Sequence, residues 1–170
     1  MGTQAQTGEI EGHVTAITLF TQEERNLLAR LPRWVVGAAS AAHVDNAAKT
    51  RRKVETGFIS VANGRRFGNE FVTEVAREAM KVFDEDPAKS GIDTATAAGI
   101  DGVIGHASAA WTLLRAKAEP ADASAYRRWL LEVTADVIGA VRADERLGFG
   151  GIHIHPAEKA FRDRLAQAMT

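Results

Sequence analysis

The sequence is poor in several residue types: it has no cysteine, four prolines and a single tyrosine. Without cysteine, the chain has no disulfide framework, no zinc site built from thiolates and no cysteine nucleophile. Its 170 residues are 45% hydrophobic and 25% charged, with a formal net charge of -1. This composition is typical of one soluble globular domain, which at such a length needs neither disulfides nor metals to fold.

Long apolar runs are also lacking. The longest apolar stretch expected in a helix, residues 34–42, is far shorter than the ~20 residues that span a bilayer. Residues 1–12 contain no Lys or Arg, whereas a secretory signal begins with basic residues. We therefore expect no membrane segment and a cytoplasmic protein. The abundance of arginine and alanine further suggests a GC-rich bacterial genome.

Motifs that define common enzyme classes are missing as well. The sequence has no GxxxxGK[ST] phosphate loop and no serine in a nucleophile elbow. It also lacks the Glu-x-x-His pairs that bind dinuclear iron in ferritin-like bundles. These absences favour a binding protein over a catalyst.

Apolar residues recur at helical spacing in six segments. The predicted helix starts are Thr21, Asn46, Asn69, Asp93 or Thr94, Asp122 and Pro156. Short loops between helices favour antiparallel neighbours, so we predict an all-α fold, a compact bundle of five to six antiparallel helices. Residues 21–170 would form this single helical domain, and residues 1–20 an N-terminal arm that is partly extended or flexible.

Particular residues support these boundaries and predict a core. Thr21 and Glu24 fit a capping box at the first helix start, and Pro32 is expected to kink or divide that helix. The second helix is predicted to turn its apolar side chains inward. The residues predicted to be buried include Val54, Phe58, Val61, Ile100, Val103, Leu130 and Val133.

Small residues are frequent on two of the predicted helices. Gly99, Gly102 and Gly105 recur every three residues, and Gly37 lies among alanines. Because glycine inside a helix costs about 0.5–1 kcal/mol relative to alanine, these residues predict Gly/Ala packing faces that allow close helix approach. The alternative is a groove that admits a ligand or a partner helix.

Charge is unevenly distributed along the chain. Residues 46–66 contain six basic residues and one acidic residue, whereas residues 69–86 contain six acidic residues and two basic ones. Because consecutive helices pack antiparallel, we expect Arg51, Arg52 and Lys53 of the second helix to face Glu74 and Glu78. The alternative is weak nucleic-acid binding through the basic segment 49–66. Its candidate residues are Arg51, Arg52, Arg65 and Arg66.

The segment 148–158 combines glycines with two of the five histidines. In an extended strand His153 and His155 would point to the same side, and Glu158 follows in the first turn of the last helix. Imidazole and carboxylate are ligands of divalent metals, so the sequence predicts a candidate metal site at His153, His155 and Glu158. Asp101 or His106 would be additional partners. The alternatives are an anion site at the glycine turn and a structural turn in which His155 caps the helix.

Taken with the missing motifs, these features predict a non-catalytic binding or accessory protein, with no cofactor apart from that candidate metal. The alternative is a metal- or anion-dependent enzyme or binding site at the 148–158 turn. Three tryptophans lie on or beside the apolar faces. A single small bundle is not expected to cover all three, so we also predict a homodimer or a protein partner. They are Trp34, Trp111 and Trp129.

Overall fold

The computed structural model describes residues 16–83, 96–141 and 154–170, and these residues form six α-helices and no strand. The helices are α1 (Gln22–Ala41), α2 (Ala47–Asn63), α3 (Glu70–Phe83), α4 (Ala97–Lys117), α5 (Pro120–Gly139) and α6 (Pro156–Ala168). Short 3-10 turns occupy Ala16–Leu19 and Gly64–Arg66. The prediction of an all-α bundle is confirmed.

Local capping explains where several helices begin. The backbone N–H of Glu24 donates to Thr21 Oγ1 (3.3 Å), and the Glu24 carboxylate accepts from the Thr21 N–H (2.7 Å). This is the predicted capping box. Asn46 caps α2 by accepting from the Lys49 N–H (2.9 Å), and Asn69 accepts from the Val72 N–H at the start of α3 (3.0 Å). Short-range hydrogen bonds of this kind stabilise helix starts by about 1 kcal/mol each.

Some predicted boundaries differ from the observed ones. Residues 16–19, expected to be extended, form a 3-10 turn, and α1 continues through Pro32. The helix α5 begins at Pro120, since proline suits the first helical position, and not at Asp122. The helix α4 begins after its cap Thr96, while residues 93 and 94 lie outside the described residues.

The core surrounds α1, which packs against α2, α3, α4 and α5. Leu28, Leu31 and Val35 of α1 are fully buried, and the Tyr126 hydroxyl of α5 donates to the Leu28 carbonyl (2.8 Å). The predicted burial of the core residues of α4 and α5 is largely confirmed. Val103, Leu130 and Val133 are fully buried, whereas Ile100 is half-buried.

The tryptophans are largely covered within one chain. Trp34 and Trp129 are buried, and Trp111 is half-buried. The argument for a homodimer from uncovered tryptophans therefore depends on Trp111 alone, and the homodimer stays a prediction.

Close helix approach occurs at glycines other than those predicted. A Cβ atom at Gly57 would lie 2.6 Å from a methyl carbon of Val36, and one at Gly64 would lie 2.6 Å from the Trp129 indole. By contrast, nothing in the described part of the chain lies within 4 Å of a Cβ built at Gly102 or Gly105. The prediction of close packing is wrong for these two glycines of α4, because none of the described helices approaches them.

The buried face of α2 also differs from the predicted one. Val61 is buried as expected, but Val54 is 42% exposed and Phe58 is 36% exposed. The helix instead buries Lys53, Gly57 and Ser60 together with Val61. The prediction is wrong for Val54 and Phe58, since small and polar side chains occupy the inner face. None of the described helices combines the length and apolar character needed to cross a membrane.

Candidate functional site

A buried charged cluster, the lysine cluster, joins α2, α6 and the loop between α1 and α2. It consists of Asp45, Lys53 and Glu158. Lys53 is only 1% exposed, and its Nζ donates to Asp45 Oδ2 and to Glu158 Oε1, the latter at 2.7 Å. A buried ammonium is tolerated when carboxylates compensate its charge, so the three residues form one interdependent ionic group.

The environment of Lys53 fixes its protonation state. Burial disfavours the charged ammonium, but the hydrogen bonds and charges of Asp45 and Glu158 outweigh burial and hold the pKa of Lys53 above its usual value. Lys53 is therefore an ammonium at neutral pH. A nucleophilic or basic lysine needs the neutral amine, so this side chain is suited to a structural role and not to Schiff-base chemistry.

Two histidines stack beside the lysine cluster. The rings of His43 and His155 have centroids 3.7 Å apart and an interplanar angle of 22°. His43 Nε2 lies 3.9 Å from Asp45 Oδ1. Both rings border a cavity of about 290 Å³ that also contacts Ile138 and Ile154.

His155 and Glu158 cap α6. His155 Nδ1 accepts a hydrogen bond from the Ala157 N–H (3.2 Å), and Glu158 Oε2 accepts one from the His155 N–H (3.3 Å). The alternative interpretation of His155 as a helix cap is thus confirmed.

The candidate metal site is only partly covered by the structure. His153 lies outside the described residues, whereas His155 and Glu158 lie next to each other at the start of α6. No group of three or more His, Cys, Asp or Glu side chains suited to a metal ion occurs in the described ranges. Glu158 already binds the Lys53 ammonium, a cation that occupies one of its oxygens. The metal site at His153, His155 and Glu158 stays a prediction.

The other candidate partners lie elsewhere. Asp101 of α4 accepts from Arg164 Nη2 of α6 (2.6 Å), and the His106 ring packs against Trp34 with centroids 4.8 Å apart. The residues that sequence analysis missed are His43 and Asp45, in the loop before α2. No sequence signal marked them, because the burial of Lys53 follows only from tertiary packing.

The predicted charge pairing between α2 and α3 is wrong for Lys53. Lys53 contacts Asp45 and Glu158, while Glu78 pairs with Lys81 on its own helix (2.7 Å). Glu74 has a buried oxygen, Oε2, for which the described residues provide no hydrogen-bond partner. The two helices do pack together, but buried charge compensation links α2 to α6 instead.

The solvent side of α2 combines arginines with apolar side chains. We call it the α2 outer face; it consists of Arg51, Arg52, Glu55, Phe58 and Ile59, with Val54 at its edge and Arg65 and Arg66 at its end. Positions 51, 55 and 58, like 52, 55 and 59, are three or four residues apart and share one side of the helix. All of these residues are exposed, and Ile59 is 60% exposed.

Comparisons with known proteins give no functional precedent. No protein-family model, curated protein or solved structure matches the chain.

Proposed function

We propose that this protein is a non-catalytic binding protein that recognises a protein partner through the α2 outer face. The exposure of Phe58 and Ile59 among arginines carries the proposal. Aromatic residues and arginine are enriched at the centres of protein interfaces, where a few of them supply most of the binding energy. An exposed isoleucine next to an exposed phenylalanine on one helix face is therefore a suitable anchor for a partner.

The charges of the face specify the partner's chemistry. Four arginines, Arg51, Arg52, Arg65 and Arg66, accompany the single acidic residue Glu55. A segment that combines acidic with apolar side chains would complement this pattern. A two-fold dimer through the same face would bring the arginines of two copies together, and this repulsion favours a different protein over a second copy.

The lysine cluster supports a binding role over catalysis. Its ammonium is compensated by two carboxylates, and Glu158 and His155 serve the start of α6. This arrangement links α2 to the start of α6 and leaves the opposite side of α2 open to a partner. The cytoplasmic, bacterial setting expected from the composition remains a prediction.

Site-specific photo-cross-linking tests the proposal. A benzophenone amino acid placed at Ile59 is expected to form adducts in a lysate of the source organism. The matched control is Ser124, an exposed position on α5. We expect the Ile59 adducts to contain a peptide that is both acidic and apolar. The purified partner should then bind Ile59→Ser about tenfold more weakly than wild type, as for a typical interface anchor.

Three outcomes would contradict the proposal. Equal adducts at Ile59 and Ser124 would show that the α2 outer face is not a preferred contact. Adducts made only with a second copy of the chain would make the face a homodimer interface. Nucleic acid that binds at physiological salt and is lost in Arg51→Ala with Arg52→Ala would assign the face to phosphate binding.

A further inference from the structure

A groove between the first half of α1 and the last half of α3 has a charge pattern suited to a small ligand. Its volume is about 510 Å³, which lies within the usual range of small-molecule sites. Charged side chains line it from both helices: Arg25 from α1, and Glu74, Arg77, Glu78 and Lys81 from α3. It lies apart from the α2 outer face and depends on different residues.

Internal pairing leaves a defined set of charges in the groove. Lys81 and Glu78 compensate each other through a 2.7 Å contact. Arg25 Nη2 donates to the neutral Gln22 side chain (3.0 Å), so its positive charge is retained. Among the described side chains that line the groove, the remaining charges are the two guanidinium groups of Arg25 and Arg77 and the carboxylate of Glu74.

Glu74 supplies the observation that points to a ligand. Its Oε2 is shut off from solvent, and within the described part of the chain it has no hydrogen-bond partner. A buried acceptor without a partner destabilises the folded state, and more so when it is charged. The half-buried Glu74 side chain lines the groove without an ion-pair partner among the described residues, so a bound ammonium would compensate its charge.

We propose that this groove binds an acidic α-amino acid. One carboxylate and two guanidinium groups are complementary to one ammonium and two carboxylates, which is the charge set of such a molecule. The ammonium would donate to Glu74, and the two carboxylates would contact Arg25 and Arg77. Ala29 and Ile17 provide apolar wall for the methylene carbons.

The walls of the groove are held in place by the fold. Arg33 of α1 donates to the Val82 carbonyl near the end of α3 (2.6 Å), and Gln22 donates to Asn26 (3.0 Å) along α1. The side chains that line the groove are thus mounted on two helices that pack directly against each other. Such a site requires little rearrangement to bind its ligand.

Amide NMR titration of the full chain with L-glutamate and L-aspartate tests this site. We expect saturable shifts around residues 25 and 74–82. Glutarate lacks the ammonium and L-norvaline lacks the second carboxylate, and each should bind about tenfold more weakly or worse, as expected for loss of one charge-assisted hydrogen bond. The variants Glu74→Gln and Arg77→Gln should show the same loss, whereas the exposed Glu132→Gln on α5 should bind as wild type does.

The unfolding midpoint of each variant separates a binding defect from misfolding. Because Arg77 is exposed, Arg77→Gln is expected to fold normally even if Glu74→Gln does not. The proposal fails if neither acidic amino acid gives saturable shifts. It also fails if glutarate binds as tightly as L-glutamate, since Glu74 would then not recognise an ammonium. Neither failure bears on the α2 outer face, whose test is independent.

Discussion

The two faces of α2 depart from the usual pattern of an amphipathic helix. Its buried side carries Lys53, Gly57 and Ser60, while its exposed side carries Phe58 and Ile59. An ordinary surface helix turns its apolar stripe toward the core. The difference shows that the burial of this helix is determined by what its neighbours provide and not by its own hydrophobicity.

The neighbours of the inner face compensate each unusual residue. Asp45 and Glu158 neutralise Lys53, and the Ser60 hydroxyl donates to Asp136 Oδ2 of α5 (2.6 Å). Gly57 lets α1 and α5 approach closely. Substitutions on the inner face are therefore expected to change the free energy of unfolding strongly, and substitutions on the outer face only weakly.

The largest effect is expected in the lysine cluster. Glu158→Ala removes one of the two carboxylates that bind the buried Lys53 ammonium, together with the acceptor of the His155 N–H, and should lower the free energy of unfolding by about 2–4 kcal/mol. Urea denaturation measures the change through the midpoint and slope. The exposed Lys159, which pairs with Asp163, is the matched control, and Lys159→Met should leave the midpoint nearly unchanged.

The same cluster allows a more specific test. Replacing all three residues together, with Asp45→Asn, Lys53→Met and Glu158→Gln, removes the buried charges instead of separating them. Most of the lost stability should return, because apolar and neutral replacements avoid the cost of burying charges with too few hydrogen bonds. A triple variant as unstable as Glu158→Ala would show that packing or capping, and not charge compensation, explains the effect.

The glycines provide the next contrast. In Gly64→Ala the new methyl group would collide with the Trp129 indole, and the variant should lose about 1–3 kcal/mol of stability. Gly102→Ala meets open space inside a helix and should gain about 0.5–1 kcal/mol. Thermal unfolding of both variants checks the prediction, and equal effects would mean that the approach at Gly64 is not tight.

Short-range features of the fold were predictable from sequence. The capping box of Thr21 and Glu24, the cap Asn46 and the start of α6 at Pro156 all depend on residues within four positions of one another. Local hydrogen bonds and backbone preferences determine such features, so the sequence pattern is sufficient.

Features that depend on distant partners were not predictable. Lys53 and Glu158 are 105 residues apart, and nothing near Lys53 in the sequence marks Glu158 as its partner. Likewise, Gly57 and Gly102 are alike in sequence terms, yet only Gly57 has side chains from two other helices against it. Tertiary packing determines which glycine lies at a close helix contact, and helical periodicity in the sequence does not indicate it.

Alkaline pH should lower the free energy of unfolding through the titration of Lys53 and Tyr126. The pKa of Lys53 is raised in the folded state, so its stabilising contribution is complete below the unfolded value of 10.5 and is lost as pH rises through the folded value. Burial also raises the pKa of Tyr126, which adds a loss of the same sign above its ordinary value of 10.0. Each group contributes up to about 1.4 kcal/mol per pH unit in this range.

The two contributions can be separated by substitution. Tyr126→Phe removes the phenol titration. In this variant the slope of the free energy of unfolding against pH, measured at alkaline pH, should therefore retain the lysine contribution alone. In the triple cluster variant the slope should retain the tyrosine contribution alone. An alkaline slope that is identical in wild type and both variants would contradict the assignment of either group.

A smaller effect is expected at His155. The variant His155→Ala loses the cap on the Ala157 N–H and the stacking on His43, and should cost about 0.5–2 kcal/mol in the presence of a chelator. If the predicted metal site exists, wild type should gain stability from added zinc and His155→Ala should not. Stoichiometric metal in purified protein that is lost in His153→Ala and His155→Ala would establish the site.

The smallest effect on stability is expected on the α2 outer face. Ile59 is 60% exposed, and isoleucine and serine have similar helix propensities, so Ile59→Ser should change the free energy of unfolding by less than about 0.5 kcal/mol. Val61, two residues further on, is fully buried, and Val61→Ala should cost more than about 1 kcal/mol by leaving a cavity. Binding of the cross-linked partner should follow the opposite order, with Ile59→Ser strongly impaired and Val61→Ala little affected while it remains folded. If both variants lost stability to the same extent, the outer face would be part of the core packing, and its apolar side chains would need no partner.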